Sequence, residues 1–314
     1  MDAQPARVQA CYNGRMHDKA TPLPPAHLLL ALAVAIVWGS NFVVIKIGLG
    51  HLPPLLFATL RFVFAFLPAA FFVRRPKVSW TNLAAFGVLV GAGQFGCLYI
   101  AMERSISPGL ASLVVQTQVF FTIGLAVLFI GERVHLFQLA ALGIAACGLV
   151  LIAAHGGHDA TPFGLALALM GSLCWAGGNI LARTSGADNM LGYVVWSSLF
   201  AIPPLTALSL LLEGWPAIAH GLGNADAITW GAVLYQSVGN TLFGYGNWAF
   251  LLSRYPASTI SPFALLAPIV GLSTSALVMD EPLQSWKLVA AALVLGGLAL
   301  NLAWPRLRLA MTRP

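Results

Sequence analysis

The stretch "QVFFTIGLAVLFIGE" at residues 118–132 returns in the second half of the chain as "APIVGLSTSALVMDE" at residues 267–281. Both segments are apolar and both end in a glutamate, so that Glu132 and Glu281 are in register. A shared polar position within two apolar segments indicates duplication rather than similar composition alone. The chain is therefore predicted to contain two related halves.

A second similarity lies earlier in each half, where a tryptophan is followed by an asparagine and then by a basic residue. These residues are Trp38, Asn41 and Lys46 in the first half and Trp175, Asn179 and Arg183 in the second. The two tryptophans are 137 positions apart, whereas the two glutamates are 149 apart, and a longer connection near residues 213–227 accounts for the difference. The predicted repeats are residues 26–154 and 162–304, joined by a linker at 155–161.

The composition is that of a polytopic membrane protein. Hydrophobic residues make up 59% of the 314 positions, charged residues only 8%, and the mean hydropathy is +0.83. A soluble domain carries roughly 25% charged residues. The net charge of +6 does not suggest nucleic-acid binding, because the basic residues lie in tails and short loops rather than on one face.

Ten apolar segments have the roughly 20-residue length that crosses a bilayer as a helix. They are residues 26–48, 53–73, 80–101, 107–129, 136–154, 162–183, 191–212, 228–251, 257–279 and 286–304. Residues 1–25 are predicted to be a disordered cytoplasmic tail and residues 305–314 a basic cytoplasmic tail. The sequence leaves open whether translation starts at Met1 or Met16.

The distribution of lysine and arginine predicts the orientation of these segments. If both termini share one side, that side holds twelve basic residues, the other side holds only Arg104 and Lys287, and Lys46 and Arg61 lie within spans. Positive residues concentrate in cytoplasmic loops, so both termini are predicted to be cytoplasmic. Five helices is an odd number, so the halves would enter the membrane in opposite directions. Inverted repeats of this kind are typical of transporters.

Several motifs carry a resemblance to a known family. They are "WGSNFVVIKIGLGHLPPLLFATLRF" (38–62), "PGLASLVVQTQVFFTIGLAVLFIGERV" (108–134), "WAGGNI" (175–180) and "GYGNW" (244–248). Together they resemble the EamA branch of the drug/metabolite transporter superfamily over residues 26–304, with the greatest likeness to bacterial inner-membrane exporters of O-acetylserine and cysteine. The resemblance implies an all-α fold in which helices 1–4 and 6–9 surround a central cavity and helices 5 and 10 are peripheral. The sequence departs from many relatives at Val119, where they carry a proline that is kept here at Pro268, so the resemblance does not imply a matching kink in helix 4.

Polar groups on four helices are predicted to share one depth. Counting 1.5 Å per residue places Asn41, Arg61, Gln94 and Gln116 roughly 9–13 Å below the outer surface. The full set of candidate cavity and gating residues is Trp38, Asn41, Lys46, Arg61, Gln94, Gln116, Gln118, Trp175, Asn179, Asn240, Tyr245, Trp248 and Ser261. Alternatives stay open: Lys46 could extend to the interface, Arg61 could be tied to helix-end carbonyls or to Glu103, and each glutamine could join helices.

No aspartate or glutamate lies deep in a predicted span, and Lys46 and Arg61 are the basic residues that lie within spans. This pattern favours a small zwitterion or anion with a carboxylate over a cationic drug. The sequence predicts an exporter of small amino-acid metabolites in the bacterial inner membrane, working as a monomer or weak homodimer without proton coupling. No catalytic or metal-binding motif is recognisable, so neither an enzyme nor a cofactor is predicted. A broader drug/metabolite or nucleoside/purine exporter and a non-transporting membrane scaffold are the alternatives.

Overall fold

The computed structural model describes residues 23–131, 135–155, 157, 159–255 and 257–311. Residues 1–22 of the predicted tail and Glu132 of the repeated motif lie outside this part of the chain. The first half forms five helices: α1 Pro25–Gly48, α2 Pro54–Ala70, α3 Trp80–Arg104, α4 Pro108–Ile130 and α5 Leu136–His155.

The second half forms six helices, three of which are built from consecutive pieces. They are α6 Pro162–Thr184; α7 Met190–Leu208 with Ser209–Glu213; α8 Gly214–Asn224; α9 Ala227–Leu234, Tyr235–Tyr245 and Gly246–Arg254; α10 Ala257–Ile260, Ser261–Leu265 and Leu266–Val278; and α11 Ser285–Met311. In the described residues, eight helical segments are long and apolar enough to span a membrane. Helix α2, with 17 residues, and the polar α9 are not among the eight.

Local sequence signals explain where the helices begin. Helices α1, α2, α4 and α6 all have proline in the first turn, where the missing N–H is not needed. Side chains of Ser79, Ser107, Thr161 and Asn189 accept hydrogen bonds from the backbone N–H three residues later, at the starts of α3, α4, α6 and α7.

Helix α8 differs from the sequence prediction, which treated residues 213–227 as a connection. Gly214 has a φ of 79°, which lets the chain turn sharply out of α7 before the helix starts. Helix α8 then packs on the α1–α2 turn, where a Cβ atom at Gly221 would lie 2.7 Å from Pro53. Its eleven residues are too few for a span, so the ten predicted segments remain the candidates for crossing the membrane.

Irregular helical turns occur at matching places in the two halves. The third predicted span of each half contains a π-helical segment, Gly87–Gly96 in α3 and Tyr235–Tyr245 in α9. The fourth predicted span contains a 3₁₀ turn, Val115–Thr117 in α4 and Ser261–Leu265 in α10. Helix α4 therefore contains an irregular turn even though it has Val119 where many relatives have proline. Such interruptions are frequent at functional sites.

Helix packing also repeats when the halves are exchanged. Helix α4 of the first half packs on α6, and its counterpart α10 packs on α1. Likewise, α3 packs on α6 and α7, and its counterpart α9 packs on α1 and α2. Helix α2 contacts α7, and α5 runs along α11 at the edge of the bundle. A Cβ atom at Gly297 would lie 2.5 Å from the Ala141 carbonyl oxygen, so glycine lets α5 and α11 approach closely.

Candidate functional site

A central cavity of about 320 Å³ lies between helices of both halves. Ten of the thirteen candidate residues line it: Trp38, Asn41, Gln94, Gln116, Gln118, Trp175, Asn179, Asn240, Tyr245 and Trp248. Helices α1, α3, α4, α6, α9 and α10 provide most of the lining, and several of these residues lie in or beside the irregular turns. These ten predicted residues therefore lie around one shared cavity.

One wall of the central cavity is aromatic. The Trp38 ring centroid lies 5.0 Å from that of Trp248 and 5.6 Å from that of Tyr245, and both pairs are tilted. Trp38 Nε1 donates to the Asn240 carbonyl oxygen at 3.4 Å. Close approach of α1 and α9 depends on Gly244, because a Cβ atom there would lie 2.4 Å from Trp38 Nε1.

Gly244→Ala should therefore reduce export severalfold, because the added methyl group must displace the Trp38 indole. Alanine is the better helix former, so helix propensity alone would leave the protein as stable as before. Gly239→Ala on the same helix is the matched control, since its nearest neighbour, the Tyr235 ring, is 3.6 Å away, an ordinary contact distance. Equal transport rates for the two variants in proteoliposomes would contradict the role of this contact.

Amide side chains supply much of the polar surface of the central cavity. Asn41 and Gln94 are 5% and 3% exposed, and among the described residues the side-chain oxygen of each has no hydrogen-bond partner. On the opposite wall, Asn179 Nδ2 donates to Gln118 Oε1 at 2.8 Å and to Thr122 Oγ1 at 3.2 Å. Unpaired buried oxygens are costly, so Asn41 and Gln94 are available to accept from a polar ligand.

The cavity extends toward one end of the bundle. Met190 starts α7, Trp248 lies near the end of α9, and Ala264 lies near the start of α10; all three line the cavity. We call this the inner end and the opposite end, where α1 leads into α2, the outer end. Apolar side chains such as Leu52 and Phe57 are fully buried at the outer end.

A polar cluster ties the outer end together, and we call it the outer clasp: Ser107, Asp159, Glu281 and Lys287. Glu281 Oε1 accepts from Ser107 Oγ at 2.6 Å and from Lys287 Nζ at 3.0 Å. Lys287 is fully buried and also pairs with Asp159 Oδ2 at 2.7 Å. The clasp thereby joins the start of α4 to α11 and to the linker between the halves.

The Glu281 carboxylate has two further donors, the Gly109 backbone N–H at 3.2 Å and the Ser275 hydroxyl. Burial raises the pKa of Glu281, but hydrogen bonds from Ser107 and Ser275 and the charge of Lys287 outweigh it, so the pKa lies below its ordinary value. The sequence signal was the glutamate at the end of the repeated motif, and Lys287 was predicted only to lie on the outer side.

Three candidate residues do not line the central cavity. Lys46 Nζ donates to the carbonyl oxygens of Met102 and Glu103, at 2.9 and 2.7 Å, and so caps the C-terminal end of α3. Ser261 starts the 3₁₀ turn of α10, one turn before the lining residue Ala264. These two predicted residues are therefore not part of the cavity lining.

Arg61 is the third of these residues, and its side chain points toward α9. Nη1 donates to Gln236 Oε1 at 2.9 Å and to the Tyr99 hydroxyl at 3.4 Å, while Nη2 donates to Thr241 Oγ1 at 3.2 Å. The guanidinium also lies 3.7 Å from the centroid of the Phe95 ring, which lines the cavity. Gln236 and Thr241 were not among the predicted site residues; both lie in the polar π-helical segment of α9.

The chain is similar in sequence to known transporters. The EamA-like transporter family matches residues 26–154 and again residues 162–303. A probable amino-acid metabolite efflux pump of Salmonella typhimurium is 43% identical over 89% of this chain and 95% of its own length. A protein of the same description from Escherichia coli is 41% identical over 90% and 97%.

More distant similarities extend the comparison. A probable terminal-alkyne amino-acid exporter of Streptantibioticus cattleyicolor is 26% identical over 86% of this chain and 91% of its own length. One crystal structure superposes with a TM-score of 0.59 at 18% identity, covering 90% of this chain and 99% of that chain, which shows a shared fold. The likeness to O-acetylserine and cysteine exporters is only approximate, because these descriptions name no such substrate.

Proposed function

Because the chain belongs to the EamA-like transporter family, which both of its halves match, we propose that it exports small amino-acid metabolites through the central cavity. It is a multi-pass protein of the bacterial inner membrane. The observation that carries the proposal is the cavity itself, whose amide and aromatic lining comes from both halves. Export changes no covalent bond, so the proposal includes no enzymatic step, cofactor or metal.

The proposed topology has ten spans in two inverted repeats, residues 26–154 and 162–304, with linker 155–161 outside. Residues 1–25 and 305–314 are cytoplasmic tails in this topology. Helices α2 and α9 count as spans here because each packs against helices that are long and apolar enough to cross a membrane. The inner end of the bundle is then cytoplasmic and the outer end periplasmic.

A zwitterionic amino acid suits the chemistry of the lining. Its ammonium group can lie against the Trp38, Tyr245 and Trp248 rings, since aromatic faces attract cations. The unpaired oxygens of Asn41 and Gln94 can accept its hydrogen bonds. Cysteine-like and O-acetylserine-like metabolites are the substrates to test first, and a nucleoside or purine is the alternative.

The structure fits an inward-facing state of an alternating-access cycle. The cavity reaches toward the inner end, while apolar packing and the outer clasp occupy the outer end. In the proposed cycle, release to the periplasm requires the clasp to open and the inner end to close. The matching irregular turns in α3, α9, α4 and α10 are the places where helices can bend.

Radiolabelled counterflow in proteoliposomes tests this function directly. Vesicles that contain the protein and are loaded with an unlabelled amino-acid metabolite should take up the labelled form transiently. Vesicles without the protein should not. If the protein were a non-transporting scaffold, the two kinds of vesicle would behave alike. Uptake of a labelled nucleoside but of no amino acid would replace the proposed substrate class. With an imposed pH gradient at zero membrane potential, substrate should not accumulate above its external concentration; protonophore-sensitive accumulation would overturn the proposed absence of proton coupling.

The proposed orientation predicts which side of the membrane reaches the cavity. In a variant without the four native cysteines, cysteines at Asn179 or Tyr245 should react with an impermeant thiol reagent from the cytoplasmic side. A cysteine at the exposed Gly223 of α8 should react only from the periplasmic side. Labelling of the two cavity positions only from the periplasm, or not at all, would contradict the inverted geometry.

A further inference from the structure

The lining of the central cavity has no charged side chain among the described residues. If the chain exports amino-acid metabolites, the carboxylate of the substrate must therefore be bound by neutral donors, because an ionised carboxylate that leaves water without such donors is strongly disfavoured. The amide side chains of the lining belong to Asn41, Gln94, Gln116, Gln118, Asn179 and Asn240. An amide NH2 group recognises a carboxylate best when contacts within the protein fix its direction in advance.

Contacts between α4 and α6 fix the orientation of one of these amides, that of Gln118. The Thr122 hydroxyl donates its single proton to the Gln118 main-chain carbonyl oxygen at 2.7 Å, so Thr122 Oγ1 can only accept from Asn179, at 3.2 Å. The Asn179 atom at this contact is therefore the NH2 nitrogen. The same nitrogen lies 2.8 Å from the Gln118 side chain, so the atom it contacts there is the amide oxygen. The Gln118 oxygen thus faces α6, and its NH2 group is left on the other side.

The NH2 group of Gln118 is open to the central cavity. The side chain lines that cavity and is only half-buried. Within the described part of the chain, Nε2 makes no hydrogen bond, and it is not one of the fully buried side-chain atoms that lack a partner. It is therefore an accessible donor whose direction is fixed and which has nothing in the protein to donate to.

Packing of α4 against α6 does not require this amide pair. The repeated motif has Ala267 of α10 at the position of Gln118 in α4. At the equivalent contact between α10 and α1, a Cβ atom at Gly39 would lie 2.5 Å from the Ala267 carbonyl oxygen, so these helices pack closely without a glutamine. The presence of the pair at only one of two equivalent contacts favours ligand recognition over a role in joining helices.

We propose that Gln118 determines the specificity for a carboxylate, a role that rests on the proposed function. Gln118 Nε2 donates to the carboxylate of the amino-acid metabolite, and Asn179 and Thr122 are positioning residues that hold the amide in this orientation. The aromatic wall lies on α1 and α9, so the ammonium group of the same molecule can contact that wall while the carboxylate contacts α4.

Gln118→Glu tests this role, because it removes the donor and keeps the acceptor. A glutamate still offers an oxygen to Asn179 Nδ2, so the contact between α4 and α6 remains. The N–H group that faces the cavity is replaced by an oxygen. In titrations of the purified full-length protein followed by tryptophan fluorescence, the affinity for cysteine and O-acetylserine should fall by at least about tenfold, the effect of one hydrogen bond to a charged group. The affinity for cysteinamide, which has an NH2 group in place of a carboxylate oxygen, should not fall.

Gln116→Glu is the matched control for this substitution. Gln116 lines the same cavity on the same helix, but its side chain makes no hydrogen bond within the residues that the structure describes. The control adds the same group without removing an oriented donor, so the ratio of the affinities for cysteine and cysteinamide should change less than in Gln118→Glu. An equal change of that ratio in both variants would overturn the role of Gln118.

Thr122→Val tests the orientation of the amide separately. Without the hydroxyl, either amide of the pair can donate to the other, so Gln118 is free to turn its oxygen toward the cavity. The affinity for cysteine should fall severalfold, and Thr122→Ser, which keeps the hydroxyl, should retain the wild-type affinity. Equal affinities in these two variants would overturn the positioning role, and the pair still decides the question if Gln118→Glu does not fold.

Counterflow by the wild-type protein distinguishes the role of Gln118 from the proposed function. If wild type transports an amino-acid metabolite and Gln118→Glu binds it with unchanged affinity, only the role of Gln118 is overturned. If wild type transports no amino-acid metabolite, the proposed function fails and the role of Gln118 fails with it.

Discussion

Glu281→Gln is expected to destabilise the protein by about 2–3 kcal/mol and to loosen its outer end. The substitution removes the charge that faces the fully buried Lys287 and weakens four hydrogen bonds to one carboxylate. Removing one partner of a buried ion pair costs about 3–5 kcal/mol, and the remaining contact between Lys287 and Asp159 reduces the loss here.

Asp280→Asn is the matched control for this substitution. Asp280 is the neighbouring acid, is exposed, and has a φ of 52°, a conformation that asparagine also tolerates. Its replacement should leave the unfolding temperature nearly unchanged. If Glu281→Gln and Asp280→Asn unfold at the same temperature, the outer clasp does not stabilise this state.

The clasp also predicts a response to acid. The pKa of Glu281 lies below its ordinary value in the folded protein, so its contribution is fully present above the ordinary carboxyl pKa of about 4.3. That contribution is lost as the pH falls through the folded pKa. The stability difference between wild type and Glu281→Gln should therefore shrink below about pH 4.3. A difference that grows with acid would contradict the clasp.

Opening of the outer clasp should also make the central cavity more accessible to a thiol reagent added from the periplasmic side. A cysteine at Gln116 lines the cavity, and we expect it to react from the periplasmic side more readily in the Glu281→Gln background. Unchanged periplasmic labelling together with the expected destabilisation would mean that Glu281 stabilises the fold without closing the outer end.

The sequence predicted the helical segments and most of the cavity because both depend on local patterns. Ten long apolar runs and a repeated tryptophan–asparagine motif are readable one segment at a time. Helix α8 was missed because its run is short and contains glycine and proline, features that usually mark a connection. Its helical form depends on packing against the α1–α2 turn, which no local pattern reports.

The positions of the charged residues were harder to predict. Depth along a helix placed Arg61 beside the cavity, but the direction of a side chain depends on which helices pack around it. The Lys46 side chain donates to carbonyl oxygens at the end of α3, and the Arg61 side chain donates to residues in the π-helical segment of α9. Lys287 was predicted only to lie on the outer side, and its pairing with Asp159 could not be read because Asp159 lies in the linker between the halves, far away in the sequence.

Arg61→Ala should abolish export or reduce it to a small residual rate, although Arg61 does not line the central cavity. The guanidinium holds Gln236, and Gln236 Nε2 donates to the Asn41 carbonyl oxygen of α1 at 3.4 Å. Without the guanidinium, Thr241 Oγ1 loses its donor, which costs about 1–3 kcal/mol, and Gln236 Oε1 keeps only the Tyr99 hydroxyl at 3.0 Å. The cavity walls formed by α1 and α9 should then lose their relative position.

Arg61→Lys distinguishes the effect of the positive charge from the effect of the guanidinium's hydrogen-bond geometry. A lysine keeps the positive charge but cannot donate to Gln236 and Thr241 in the planar arrangement of a guanidinium, so export should still fall by at least about tenfold. Arg254→Lys is the matched control, since Arg254 lies at the exposed end of α9 with its guanidinium 4.2 Å from the Phe250 ring centroid. Transport rates would be measured in proteoliposomes at equal protein content. Wild-type export by a folded Arg61→Ala variant would refute the role of Arg61 as a positioning residue, and a loss in Arg61→Ala that Arg61→Lys fully restores would show that charge alone suffices.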